Sequence, residues 1–163
     1  EHGEASTMTD ERIISGDELM PFMNGNMDAV QFCLSLIYLA HLWDDLVDRD
    51  KPRSNEEINN GFMIALINIP TNKFYVEHQR ELIPLMKNAI FQWISANDLE
   101  KGNEDERCLS FMMRNELLHV LSYCLYLTGG YQWMKEKELE FRKLCAETMK
   151  LKLIEFMGEA KHA

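Results

Sequence analysis

The sequence predicts an all-α protein, a single-domain bundle of about five main helices. Three observations predict this fold class. Apolar residues recur with helical spacing in several long stretches. Capping residues, glycines or prolines stand at the ends of these stretches. No stretch alternates apolar and polar residues as a half-buried strand would, and with 46% apolar residues among 163 the chain can bury a sizeable core.

Two helices have clear start signals. The stretch Met27–Asp48 is apolar nearly all round, which predicts a central helix with Asn26 as its N-cap. Ser54-Asn55-Glu56-Glu57 matches the S-x-x-E capping box, so a second helix is predicted from there. It is expected to reach about Asn68 and to be stopped by Pro70.

The same signals predict one short helix and three more long ones. The short helix covers Asp17–Met23 and ends at the turn Asn24-Gly25. The long helices are predicted over about Phe74–Asn97, with a kink or a break at Pro84, over Glu104–Thr128, ending at Gly129-Gly130, and over Gln132–Met157, ending at Gly158.

Charge and composition exclude several classes of protein. The net charge of −10 argues against bare nucleic acid or an anionic membrane surface as partners. The four cysteines are far apart and form no CxxC pair, so we expect reduced core residues in a cytoplasmic protein. Residues 1–16 are expected to be a flexible segment without a signal-peptide pattern, and residues 17–163 one helical domain without a membrane span.

A cluster of carboxylates lies at the C-terminal end of the first long helix. Asp44, Asp45 and Asp48 fall with His41 within an arc of about 100° on one helix face. Carboxylates in a last turn face the negative end of the helix dipole, which is unfavourable by about 0.3–1 kcal/mol each. A divalent cation would offset this penalty, so we expect magnesium (or manganese) beside the cluster.

The same helix face predicts an apolar pocket below the carboxylates. Toward the N-terminus the face continues as Ile37, Leu34 and Val30, which would line such a pocket with hydrocarbon. Trp43 points to another face and is expected to pack the helix into the bundle.

Leu39–Asp48, followed by Arg49–Arg53, resembles the first aspartate-rich motif of class I isoprenoid synthases, especially trans-prenyltransferases. In that family the aspartates bind magnesium ions that hold the substrate diphosphate, and the apolar chain lies in a helical barrel. The resemblance implies three metal ligands, Asp44, Asp45 and Asp48, and two diphosphate contacts, Lys51 and Arg53. It covers Val30–Ser54 and no second aspartate-rich motif follows, which implies a reduced isoprenoid-synthase-type core.

A second polar stripe is predicted on the Glu104–Thr128 helix. Asn115, Glu116, His119 and Tyr123 share a face about 100° wide. With His41 they are candidates for the wall opposite the aspartates. Glu116 and His119 also match half of the Glu-x-x-His signature of di-iron carboxylate bundles. The alternatives are a simple Glu116–His119 hydrogen bond, pairing with Arg107 or Arg114 from neighbouring elements, or a mixed metal site with His41 and Asp45.

Three classes of function therefore stay open. The first is magnesium-dependent binding, and if catalytic ionisation or transfer, of a small anionic ligand with an apolar tail. The second is a non-enzymatic helical interaction protein, a possible homodimer, whose solvated acidic helix end engages a basic partner. A third is a carboxylate and histidine metal-binding bundle of the di-iron type. Without any site, the carboxylates would simply be balanced by Arg49, Lys51 and Arg53. In the first case the aspartates line a cavity that faces a second helix. In the second they point into solvent, with an exposed apolar patch elsewhere.

Overall fold

The computed structural model describes residues 13–49, 51–148 and 158. The predicted all-α class is confirmed, since the described residues form helices and turns and contain no strand. The helices are α1 (Gly16–Leu19), α2 (Met27–Asp48), α3 (Asn55–Met63), α4 (Ile69–Thr71), α5 (Lys73–Leu99), α6 (Glu104–Arg114) and α7 (Leu117–Thr148), with a π-helical turn (Ile64–Asn68) between α3 and α4.

Helix α2 occupies the centre of the bundle, as its apolar sequence predicts. It begins at Met27, and the side chain of its N-cap Asn26 accepts a hydrogen bond of 3.0 Å from the backbone N–H of Ala29. Phe32 and Cys33 are fully buried in its first half. It ends at Asp48, because Arg49 adopts a left-handed conformation with φ 59°.

The chain then returns along α2 through α3, the π-helical turn and α4. Ser54 forms the predicted capping box with Glu57. In the middle of α2 the hydroxyl of Tyr38 donates to the carbonyl of Glu57 (3.1 Å), and at the N-terminal end of α2 the Asn72 amide donates to the carbonyl of Asp28 (2.9 Å). The two segments are therefore antiparallel.

Pro70 does not stop the second helix where the sequence predicts. The helical path widens into the π-helical turn before Pro70 and continues to Thr71. Pro70 lies at the start of α4, where a missing N–H is tolerated, so the chain leaves the helical conformation only at Asn72.

Helix α5 runs unbroken through Pro84, so the break considered there is absent. The prediction of one helix over Glu104–Thr128 is wrong. This stretch forms two helices, α6 and α7, separated at Asn115 and Glu116, because Asn115 leaves the helical conformation (φ −91°, ψ 9°). This places Asn115 and Glu116 in a turn rather than on one face of a helix.

Helix α7 folds back on itself at Gly130, which has φ 79° and ψ −173°. The Ser122 hydroxyl donates to Glu138 over 3.1 Å, although sixteen residues of straight helix would separate them by about 24 Å. The predicted division of the chain at Gly129-Gly130 is thus confirmed. The predicted end of the last helix at Met157 lies outside the described residues.

The N-terminal side of the domain begins earlier than expected. Ile14 is buried and Ser15 caps α1, although both fall in the segment expected to be flexible. Residues 1–12 lie outside the described part. Among the described helices, α2 alone is long and apolar enough to cross a membrane. This is weak evidence for a membrane span, because the core helix of a bundle or a signal sequence meets the same criteria of length and composition.

Candidate functional site

A cavity of about 370 Å³ lies between the C-terminal half of α2, the second half of α5 and the junction of α6 with α7. Eleven of its fifteen lining residues are apolar, including Leu39, Ala89 and Leu118. Its four polar lining residues are His41, Asp44, Arg114 and Asn115. This volume and this composition are typical of small-molecule sites.

The polar lining residues form one continuous group. His41 lies one helical turn before Asp44 on α2. Asp44 Oδ1 lies 3.4 Å from Arg114 Nη1, and Asn115 follows Arg114 in the chain. The cavity therefore has one polar end, and the remainder of its lining is hydrocarbon and aromatic.

The apolar lining from α2 comes from a different helix face than the sequence predicts. Leu36, Leu39, Ala40 and Trp43 line the cavity, whereas Val30 and Ile37 are buried in the core. The expectation that Trp43 packs elsewhere is wrong. Its ring contacts Trp93 of α5 with centroids 4.9 Å apart.

Asp44 has the environment of a functional carboxylate. Its Oδ1 accepts hydrogen bonds from Trp93 Nε1 (3.3 Å) and Arg114 Nη1 (3.4 Å), and its side chain is 39% exposed. Burial raises the pKa of Asp44, and the nearby Asp48 raises it further, against the opposing effect of Arg114. A carboxylate with a raised pKa in a cleft is a candidate for ligand binding or proton transfer.

Arg114 lines the cavity, although the sequence analysis considered it only as a partner for Glu116 and His119. Its Nη2 contacts Glu100 and lies 2.7 Å from Asn97 Oδ1, so it joins the ends of α5 and α6. Its Nε is buried and has no hydrogen-bond partner among the described residues. The signal that would have revealed it is Asn115, a residue that often ends helices.

Asp45 and Asp48 do not join Asp44 in the cavity. Asp45 is 6% exposed and faces α3, where it accepts hydrogen bonds from Arg53 Nε (2.7 Å) and Nη2. Arg53 also contacts Glu57 (2.8 Å), so its guanidinium already pairs with two carboxylates, and its contact with a diphosphate stays a prediction. Asp48 is exposed, as is Lys51.

The predicted second wall is formed only in part. Asn115 lines the cavity, and its amide donates to the carbonyl of Phe111 (2.7 Å). Glu116 and His119 pair with each other at 2.7 Å and do not line the cavity, so the simple hydrogen-bond alternative describes them. Tyr123 packs its ring on Tyr126, and burial raises its pKa.

The described residues contain no group of three or more histidine, cysteine, aspartate and glutamate side chains placed to hold a metal ion. The three aspartates are thus not gathered as a ligand set, and neither the mixed site with His41 and Asp45 nor a di-iron site is assembled. Magnesium stays a prediction. All four cysteines are free, as expected, and three of them are buried.

Comparison with known proteins adds no relative. No protein-family model, no curated protein and no solved structure matches this chain. The site must therefore be interpreted from its own chemistry.

Proposed function

We propose that this protein binds a small molecule with a hydrocarbon body and a diphosphate-like head, with the help of magnesium. The observation that carries the proposal is the apolar cavity with Asp44 and Arg114 paired at 3.4 Å among its four polar lining residues. The proposal keeps the prenyl-diphosphate ligand that the isoprenoid-synthase resemblance implies, and it moves the anchoring groups to Asp44 and Arg114.

Burial of the hydrocarbon body and the contacts of the charged head group both contribute to the affinity. Each CH₂ group removed from water contributes about 0.8 kcal/mol. The lining from Leu36 to Trp43 on α2 and from Met86 to Trp93 on α5 gives such a body two apolar walls. A branched prenyl chain matches walls of leucine, isoleucine and tryptophan better than a polar metabolite would.

The charges at the polar end of the cavity determine which head group of a ligand can bind there. Arg114 faces two carboxylates, Asp44 and Glu100, and Asp48 lies close enough to raise the pKa of Asp44. An anionic head alone would meet more negative than positive charge. A divalent cation cancels this excess of negative charge, and the guanidinium of Arg114, which lines the cavity, can then donate to a phosphate oxygen.

Asp44 and Asp48 are the candidate ligands for magnesium. They lie one turn apart on α2, and their mutual repulsion is relieved by a cation. Magnesium is usually held by only one or two carboxylates together with substrate phosphates and waters, so a larger ligand set is not required. A bound magnesium would supply neutralisation of the diphosphate charge, the requirement for its ionisation as a leaving group.

Thermal melts and calorimetry with farnesyl diphosphate test the proposal. With magnesium and ligand at 100 times Kd, the free energy of unfolding should rise by about 2.7 kcal/mol. The increase should disappear with a chelator, in Asp44→Asn and in Ala89→Phe, which fills the cavity. Asp105→Asn and Ala65→Phe change exposed residues outside the cavity and should leave the increase intact.

Three probes separate the parts of the ligand. Inorganic pyrophosphate with magnesium should bind weakly and should still bind to Ala89→Phe. Farnesol, which lacks the diphosphate, should bind far more weakly than farnesyl diphosphate. Equal binding of farnesol without magnesium, or binding that survives Asp44→Asn, would refute the proposal.

A further inference from the structure

Asp44 differs from Asp45 and Asp48 in being both hydrogen-bonded and accessible. Asp45 is bonded within the fold, but it is buried. Asp48 is exposed, but it accepts no hydrogen bond from the described residues. Asp44 accepts bonds from Trp93 and Arg114, and its side chain is 39% exposed. It is therefore the aspartate of the cluster that can meet a ligand while it is held in place.

The two carboxylate oxygens of Asp44 have different surroundings. Trp93 Nε1 (3.3 Å) and Arg114 Nη1 (3.4 Å) both donate to Oδ1. No described residue donates to Oδ2, and this oxygen is not buried. A carboxylate oxygen without a hydrogen bond keeps its lone pairs for a cation, and magnesium prefers oxygens of this kind. The protein thus uses one oxygen of Asp44 and leaves the other open.

The two donors are themselves held by neighbouring side chains. The ring of Trp93 contacts that of Trp43, with centroids 4.9 Å apart. Arg114 Nη2 lies 2.7 Å from Asn97 Oδ1, and it also contacts Glu100. These contacts restrict the rotation of both donors, so the carboxylate that they hold is fixed relative to α5 and α6.

We propose that Trp93 and Arg114 are positioning residues, which hold Asp44 through Oδ1 and leave Oδ2 as a magnesium ligand. This role rests on the proposed function, because it requires that magnesium binds beside Asp44. A carboxylate that is already ordered spares the metal the entropic cost of ordering it. Removal of such a hydrogen-bond partner typically weakens metal binding about 10- to 100-fold.

Farnesyl diphosphate binding at a series of magnesium concentrations tests the role of Trp93. Calorimetry at each concentration gives the magnesium midpoint, the concentration at which binding is half-maximal. Trp93→Phe keeps an aromatic ring and removes the indole N–H, so it should raise the magnesium midpoint at least about tenfold. Excess magnesium should restore its binding, which would not occur if the variant had simply deformed the cavity.

Trp133→Phe is the matched control for the loss of an indole N–H. Trp133 Nε1 donates to the carbonyl of Phe22 (2.8 Å), and neither residue lines the cavity. The magnesium midpoint of this variant should equal that of wild type.

A second pair of variants tests the same role without a change at the indole. Asp44→Glu keeps the charge but moves the carboxylate one CH₂ group further from the backbone, away from its two donors. It should also raise the magnesium midpoint about tenfold. Asp48→Glu should leave the midpoint unchanged, because no described residue holds the Asp48 carboxylate.

Circular dichroism shows whether each variant is folded. An unchanged magnesium midpoint in Trp93→Phe would overturn the positioning role, and so would binding that no magnesium concentration restores. If Trp93→Phe does not fold, equal midpoints for Asp44→Glu and wild type would overturn it. Wild type that binds no farnesyl diphosphate at any magnesium concentration would instead refute the proposed function itself.

Discussion

The indole nitrogen of Trp93 donates a hydrogen bond of 3.3 Å to Asp44, a residue 49 positions earlier in the chain. This bond joins α5 to the last turns of α2 and holds the carboxylate at the polar end of the cavity. Asp45, the next residue, faces α3 and is bonded to Arg53. Two adjacent aspartates thus have separate roles, one in the cavity and one in the fold.

Asp44→Asn should not destabilise the protein at neutral pH. The pKa of Asp44 is raised above its ordinary value of 3.8, chiefly by burial. Its contribution to stability is therefore fully present below that value and is lost as the pH rises through the folded-state pKa. The neutral amide of the variant undergoes no such loss. The melting temperature of the variant should therefore increase relative to that of wild type as the pH rises above 4. Melts at pH 4, 5, 6 and 7 measure this difference.

Asp105→Asn is the control for this pH series. Asp105 is exposed in the first turn of α6, where the helix dipole favours a carboxylate, so its replacement should not raise the melting temperature at neutral pH. If the melting temperature of wild type instead increases relative to that of Asp44→Asn with rising pH, the described environment of Asp44 is incorrect.

Asp45→Asn should destabilise the fold, whereas Asp48→Asn should not. Asp45 is buried and bonded to Arg53, and removal of one partner of such a pair is expected to cost about 2–4 kcal/mol. Asp48 is exposed, so its replacement should change the free energy of unfolding by less than about 0.5 kcal/mol. Urea denaturation of both variants measures this contrast, and equal losses would contradict it.

Gly130→Ala should destabilise the protein by about 1–3 kcal/mol, because φ 79° and ψ −173° form a backbone conformation that is essentially restricted to glycine. A Cβ at this position would meet no neighbour, so the effect is one of backbone conformation alone. Gly130→Asn should be equally harmful. Gly16 is the first residue of α1, has no positive φ, and has room for a Cβ at ordinary contact distances. Gly16→Ala should therefore be neutral or slightly stabilising in the same urea denaturation.

Local patterns predicted the local structure well. The bounds of α2, the capping by Asn26 and the capping box at Ser54 are all as expected, because each depends on residues within one turn of the chain. The division at Gly129-Gly130 was also visible, since only glycine suits the conformation that the turn requires.

Contacts between distant residues could not be read from the sequence. The helical wheel placed Asp44, Asp45 and Asp48 on one face, but whether a neighbour covers part of that face depends on where α3 and α5 lie. Arg114 reaches Asp44 only because the chain turns at Asn115 and Glu116, where the sequence analysis predicted one continuous helix. The path through Pro70 likewise depends on a π-helical turn, which has no simple sequence signal.

The pair of Trp43 and Trp93 gives the protein an internal optical reporter. The chain has three tryptophans, and these two line the cavity with their rings in tilted contact, while Trp93 also donates a hydrogen bond to Asp44. Any molecule that enters displaces water from both indoles and alters their emission under ultraviolet excitation. Occupancy can therefore be followed by fluorescence without a label, and replacement of Trp133, which lies elsewhere in the bundle, would isolate the signal.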